Sequence, residues 1–292
     1  MGQRGRHHGY HLMSKLFASV LIVNLLLCGS MALSAGRALA SQVSAAERKP
    51  LIGINLDITA KPKEASVPTY YFEAIEKCGG VPILLPPMPT ADLARILPKL
   101  DGLVLIGGDD YPPSLYGENT EPTTSVMLSQ RSDFDVALVK SAMAIPSLPI
   151  LGICAGCQVL NISEGGSLVQ DIPSHHPESK IVHGGPYDAG AGPHKHVVTF
   201  AKDSKLAKIY PCTSLSVPTS HHQCVGKVGG SLHVAAQTDD GLPEAIETSG
   251  ERFVIGVQWH PERDFDKNKV LFDEFLKSAA QFMTVHAVKA AG

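Results

Sequence analysis

Pro149-Ile150-Leu151-Gly152-Ile153-Cys154-Ala155-Gly156-Cys157-Gln158 reads as a buried strand that turns, within one residue, into a helix. The run before Cys154 is short and apolar, as suits a strand covered on both faces. Ala155–Ser163 continues with helical spacing. The small residues Gly152, Ala155 and Gly156 allow a sharp elbow with a thiol at its apex.

The same alternation extends upstream. Leu51–Leu56, Val81–Leu85, Gly102–Ile106 and Pro149–Ile153 have the apolar, β-branched character of buried strands. Between them, Thr69–Gly80, Ala91–Leu97 and Ser129–Ala144 have helical spacing. Tyr70, Tyr71, Ala74, Ile75 and Cys78 mark the inward face of the first, and Phe134, Ala137, Leu138 and Ser141 that of the last. Alternation of this kind predicts an α/β fold, a three-layer α/β/α sandwich around a mostly parallel sheet. Ligands of such sheets bind beyond the carboxyl ends of the strands, where Gly107-Gly108 and Cys154 fall. After Gly165 the pattern changes. Residues 171–196, rich in Pro, Gly and His, are expected to form a surface loop. Val197–Phe200, Leu232–Ala236, Pro243–Ile246 and Phe253–Val257 read as short strands that include antiparallel pairs. Asp266–Met283 reads as a closing helix with Val270, Leu271, Phe275, Leu276, Ala279 and Phe282 inward.

The chain has 292 residues, of which 44% are hydrophobic and 18% charged, with a net charge of −3. That balance argues against nucleic acid or an anionic membrane as partner. Arg4, Arg6 and Lys15 precede an uncharged stretch from Leu16 to Ala35, and Ala38-Leu39-Ala40 resembles a cleavage site. The expected organisation is a signal peptide over 1–40, a linker over 41–50, the domain over 51–285 and a tail over 286–292. Export to the periplasm or the medium follows, with no stable membrane association after cleavage; the competing reading is an uncleaved anchor. Removal of Cys28 leaves five cysteines, an odd number. One free thiol and up to two bridges would account for them, Cys212 with Cys224 being one candidate; unbridged buried thiols are the other reading.

Cys154 is a candidate nucleophile, since the first N–H groups of a helix stabilise a thiolate and, later, an oxyanion. Cys154 with Cys157 also spells a C-x-x-C redox pair, and a buried structural cysteine is a further reading. A redox pair leaves Gln258-Trp259-His260-Pro261-Glu262 unexplained. There, His260 and Glu262 flank a proline that fixes a turn after a strand, which supplies a base and an acid to orient it. Gly107-Gly108 would present backbone to a substrate oxygen. Asp109 and Asp110 are read as turn formers or contacts for a substrate amine. Ser220, His221, His222 and Gln223 form a polar cluster between strands. His175, His176, His183, His194 and His196 lack the helical or cysteine-paired spacing of a zinc motif, so no metal is expected and the loop is read as a lid.

These residues resemble the class I glutamine amidotransferase domains, and more closely the stand-alone γ-glutamyl hydrolases of peptidase family C26. The resemblance runs from about Leu51 to the last helix. It rests on Tyr71–Ile75 with Gly79–Pro82, Gly102–Gly108, Leu115–Gly117, Arg131–Leu138, Pro149–Gln158, Gly165–Leu168, Gln170–Ile172, Ser220–Gln223 and Gly256–Glu262, in family order and spacing. It implies a flavodoxin-like sheet, a catalytic triad of Cys154, His260 and Glu262, and an oxyanion hole from the N–H groups of Gly108 and Ala155. It also implies a γ-glutamyl site lined by Gly107, Gln158, Ser220, His221, His222 and Gln223. The implied activity is hydrolysis of a small-molecule γ-glutamyl amide through a thioester, without a cofactor. Two features depart from that branch: Ala155 stands where Arg is usual, and Asp110-Tyr111-Pro112-Pro113 replaces an Asp-Val-Asp-Pro pattern. A glutaminase subunit serving a synthase and a catalytically silent amino-acid-binding protein share the same fold. A homodimer is compatible with all three.

Overall fold

A computed structural model describes residues 48–61, 63–184 and 194–291. The expected signal peptide and most of the expected linker lie outside these residues. Lys49–Gly292 forms one compact unit. Among the described residues, no helix is long and apolar enough to cross a membrane.

The strands, in chain order, are β1 Leu51–Asn55, β2 Asp57–Thr59, β3 Glu64–Ser66, β4 Val81–Leu85, β5 Gly102–Leu105, β6 Ile150–Ile153 and β7 Leu168–Val169. They continue as β8 His194–Phe200, β9 Ser214–Thr219, β10 Cys224–Val225, β11 Leu232–Gln237, β12 Pro243–Thr248 and β13 Val254–Val257. The helices are α1 Thr69–Lys77, α2 Thr90–Ile96, α3 Ser129–Met143, α4 Ala155–Ser163, α5 Ile172–His175, α6 Lys205–Ile209 and α7 Phe265–Ala291. Nine strands form one sheet in the order β4-β1-β5-β6-β13-β12-β11-β8-β9. From β4 to β13 every pairing is parallel, and from β13 to β9 every pairing is antiparallel.

The parallel strands obey a period of two, which assigns their side chains to the two covered faces. Val104, Leu151, Ile153, Ile255 and Val257 pack on one face with Tyr71 and Ile75 of α1 and Leu271, Phe272 and Phe275 of α7. Leu103, Leu105, Ile150 and Val254 pack on the other with Leu93 of α2, Leu138 of α3 and Val159 and Leu160 of α4. The three-layer sandwich is therefore present. On α4 the helix lies directly on the sheet. A Cβ at Gly152 would sit 2.6 Å from the Gly156 carbonyl oxygen, and one at Gly156 2.2 Å from that of Leu105. Any side chain at either position would lift the helix and carry Cys154 out of place.

Several expectations are corrected. The 171–196 stretch is not all surface: Ile172–His175 is helical, His183 is buried, and His194–His196 open strand β8. Strand β9 escaped the sequence reading because it contains Pro218, which breaks a ladder. It is tolerated because β9 is the outermost strand. On α7, Val270 is exposed and Phe272 takes its place inward. The same helix continues to Ala291, beyond Met283 where it was expected to end. On α3, Ala137 and Ser141 are only half-buried, while Arg131 and Asp135 are buried. All five described cysteines are free, so Cys212 and Cys224 form no bridge.

Candidate active site

Strand β6 ends at Ile153 and helix α4 begins at Ala155, leaving Cys154 alone to make the turn. It does so at φ 55° and ψ −112°. A non-glycine residue there is strained by about 1–3 kcal/mol, a strain that surrounding structure must hold. The holding bonds are visible. The Cys154 N–H donates to the Val257 carbonyl at 2.8 Å, and its own carbonyl accepts from Cys157 N (2.9 Å) and Gln158 N (3.2 Å). The elbow is thus clamped between β13 and the first turn of α4, with the thiol at the carboxyl end of the sheet.

The neighbouring strand β13 delivers the base. His260 N donates to the Pro218 carbonyl of β9 at 3.1 Å, and Pro261 opens a 3₁₀ turn that folds Glu262 back. His260 Nδ1 lies 2.6 Å from Glu262 Oε1, and both side chains are buried. With Nδ1 held by the carboxylate, Nε2 is the nitrogen left for Cys154, which lines the same cleft. Burial alone would lower the His260 pKa. The charge of Glu262, then the charge and hydrogen bond of Cys154, overcome it and raise the pKa to about 9. The imidazolium is therefore the favoured form at neutral pH.

The opposite wall is the Gly107-Gly108 turn after β5. A Cβ at Gly107 would lie 3.1 Å from His260 Cε1 and 3.4 Å from Cys154 Cβ, so the turn touches both reactive groups. Gly107 N donates to the Tyr71 hydroxyl at 3.1 Å. Its carbonyl accepts from Arg131 Nη2 at 2.8 Å. Arg131 is wholly buried and pairs with Asp135 at 3.2 Å and Asp57 at 2.5 Å. Asp135 also accepts from Asn55 (2.8 Å) and the Tyr111 hydroxyl (2.6 Å). Asn55 in turn accepts from Ile106 N at 2.8 Å. A Cβ at Gly108 would meet the Arg131 guanidinium at 2.2 Å, so any larger residue there has to push that guanidinium aside.

Asp57, Pro68, Tyr70, Tyr71, Gly107, Gly108, Cys154, Ser220, His260 and Arg263 line a cleft of about 250 Å³. Arg263 lies over the Tyr70 ring and 3.6 Å from Glu262. The triad residues expected from the sequence are brought together. Gly107, Gly108 and Ser220 reach the cleft, and Ala155 is the first residue of α4, where N–H groups have no partner inside the helix. Four other expected substrate contacts are placed elsewhere. Gln158 is buried against Gln258 at 3.4 Å. His222 bridges Asp110 and Asp171, both at 3.1 Å. Gln223 donates to the Gln170 carbonyl at 3.0 Å. His221 faces Glu244 at 3.4 Å. Ser220 and its neighbour His221 thus meet different surroundings, the cleft and Glu244. Asp110 accepts from Ser125 N at 2.7 Å and serves its loop, while Asp109 is exposed. Sequence reasoning missed both Tyr71, placed on a helix as a packing position, and Arg131, placed on a helix without a role of its own. Cys157, the second thiol of the C-x-x-C pair, is buried on the far side against Gly256, and burial holds its pKa well above the usual value. A redox role for the pair, which needs an accessible low-pKa thiol, does not fit.

The comparisons with known proteins agree with this geometry. "Putative glutamine amidotransferase Rv2859c" of Mycobacterium tuberculosis is 37% identical over 219 residues, covering 74% of this chain and 68% of the relative. "Gamma-glutamyl-gamma-aminobutyrate hydrolase PuuD" of Escherichia coli (strain K12) is 32% identical over 220 residues, covering 70% and 83% respectively. The fold is that of "a putative gmp synthase subunit a protein" from Thermoplasma acidophilum, with a TM-score of 0.56 at 18% identity, covering 82% of this chain and 98% of that one. The model of the Peptidase C26 family matches residues 50–262, a span that contains both the elbow and the His-Pro-Glu turn, and the chain belongs to that family.

Proposed function

We propose that this chain hydrolyses γ-glutamyl amide bonds of small molecules or peptides through a γ-glutamyl thioester on Cys154. The observation that supports this most is the junction of the Cys154 thiol with a buried His260–Glu262 pair at the ends of adjacent strands. With the proton of the Cys154–His260 pair resting on the imidazole, the Cys154 sulfur attacks the γ-carbonyl carbon. The N–H groups of Gly108 and Ala155 receive the oxyanion. The C–N bond breaks as His260 returns the proton to the leaving amine. Water, deprotonated by His260, then cleaves the thioester and frees glutamate. Glu262 keeps the ring oriented and stabilises its charged form. The glutamyl head carries one ammonium and one carboxylate, and the cleft carries Asp57 and Arg263 on its wall. No step calls on a cofactor.

The test is a panel of γ-glutamyl amides offered to the purified chain, with leaving groups ranging from γ-aminobutyrate to polyamines and peptides. Release of glutamate with each, abolished by iodoacetamide, is expected; turnover that survives alkylation of Cys154 overturns the reading. A second reading, a glutaminase subunit that passes ammonia to a synthase, is favoured by the names of several relatives. It predicts that glutamine outcompetes every other amide. We also propose export, with residues 1–40 as the signal; N-terminal sequencing of the mature chain should then begin at Ser41.

A further inference from the structure

Four side chains that the hydrolysis does not use converge in the antiparallel half of the sheet: His183, His196, His221 and Glu244. All are at most 7% exposed. Each offers one ligand atom, and the four atoms lie within 4.8 Å of one another. Glu244 Oε1 is 3.1 Å from His183 Nδ1 and 3.4 Å from His221 Nε2, and Oε2 is 3.2 Å from His196 Nε2. The three rings stand edge to face, with centroids 4.9 to 5.8 Å apart.

Hydrogen bonding alone does not satisfy this cluster. His221 Nδ1 lies 2.9 Å from the Gln223 carbonyl, which can only accept, so Nδ1 holds the proton. In the neutral ring, Nε2 then directs a lone pair at a carboxylate oxygen, an arrangement that repels. His221 Nε2, both nitrogens of His196 and Glu244 Oε2 are all buried without a hydrogen-bond partner. A cation placed between the donors turns that repulsion into attraction.

We propose that His183 Nδ1, His196 Nε2, His221 Nε2 and a Glu244 oxygen bind a first-row divalent cation, zinc foremost. Three imidazoles and one carboxylate are a donor set that zinc accepts, and ligands about 2.0–2.2 Å from it sit roughly 3.3 Å apart, close to the Glu244–imidazole distances. The outer shell has the form metal-binding histidines require. His183 directs its other nitrogen to Asp240 at 2.8 Å, and Asp240 accepts from Ser179 and Thr238, each at 2.5 Å. His221 has the Gln223 carbonyl in the same role. Four protein ligands fill the coordination sphere, so the ion is structural. It joins the 179–184 segment, β8, the turn after β9 and β12, and Ser220 on the cleft wall is the residue next to one ligand. Among the described residues, a cavity of about 300 Å³ opens against His183 and His221 and gives an ion a route in. No sequence motif marks the site because its ligands come from four segments.

The test uses the full chain, stripped with a chelator after iodoacetamide has blocked its thiols, so that zinc held by Cys154 is not counted. Zinc added back should be retained at one ion per chain through desalting. At a hundredfold excess over Kd it should raise Tm by about 5–10 °C, with no such effect from magnesium. Cobalt(II) in its place should give the intense visible absorption of a tetrahedral site. His196→Ala should hold no more zinc than background. Retention of zinc by that variant at the wild-type level, a Tm unmoved by zinc, or a weak octahedral cobalt spectrum each overturns the proposal. If His196→Ala fails to fold, the wild-type cobalt spectrum decides alone.

Discussion

Two buried groups of imidazole and carboxylate lie on neighbouring strands, and they are built on opposite principles. At the end of β13, one carboxylate, Glu262, holds one ring, His260, by one nitrogen and leaves the other for a thiol. At the start of β12, one carboxylate, Glu244, faces three rings at once. β12 and β13 pair along their length, and just beyond them Gln258 N donates to the Glu244 carbonyl at 2.7 Å. The first is asymmetric, opens on a cleft and favours a protonated ring that can hand its proton on. The second is nearly closed and its donors point at a common centre. Asymmetry serves proton transfer, whereas convergence serves holding; the same two residue types give either, depending on how many rings share one acid.

That contrast can be broken most directly at Cys154. Cys154→Ala should lower kcat on a γ-glutamyl amide by about 10⁴-fold or more while Tm stays close to wild type. Activity that persists would remove the chemistry from the first group altogether. Glu262→Gln should lower kcat/KM by about 10²–10⁴-fold, since the ring loses its orientation and the stabilisation of its charged form. It should also reshape the pH dependence. The wild-type His260 pKa is raised from 6.5 to about 9, so its contribution to stability is complete below 6.5 and lost as pH rises through 9. The alkaline limb of kcat/KM should follow it near 9 and move down in the variant. Gly108→Ala must displace the Arg131 guanidinium, and a shift of that wall should cost about 10²-fold in kcat/KM with substrate affinity less affected. Glu244→Gln sharpens the comparison from the other side: thermal melts should show a loss of about 1–3 kcal/mol, while kcat/KM stays within about tenfold of wild type. A larger effect on turnover than on Tm would mean that the two groups are not separable.

The parts legible in the sequence were those written locally. The elbow at Cys154 and the His-Pro-Glu turn each announce themselves within five residues, and the parallel strands carry unbroken apolar runs because both faces are covered. What stayed hidden depends on contacts between distant segments. Arg131 and Asp135 sit one helical turn apart on α3 and look like an exposed ion pair, yet they are buried behind the Gly107-Gly108 turn. Tyr71 looks like one more apolar position of α1, and only its hydroxyl on Gly107 N reveals its second role. The histidines of the 171–196 stretch suggested a lid because the partners of His183 and His196 lie 25 to 61 residues further on, at His221 and Glu244. Strand β9 was lost because an edge strand need not look like a central one.

The guanidinium behind Gly108 has a consequence for how this enzyme could diverge. Any side chain added at 108 has to push aside a buried cation, so new preferences are more easily written on the other walls of the cleft, at Tyr70 and Ser220. A mutant library confined to those two positions should therefore keep most of its members folded and reactive, and redistribute only what they choose to cut.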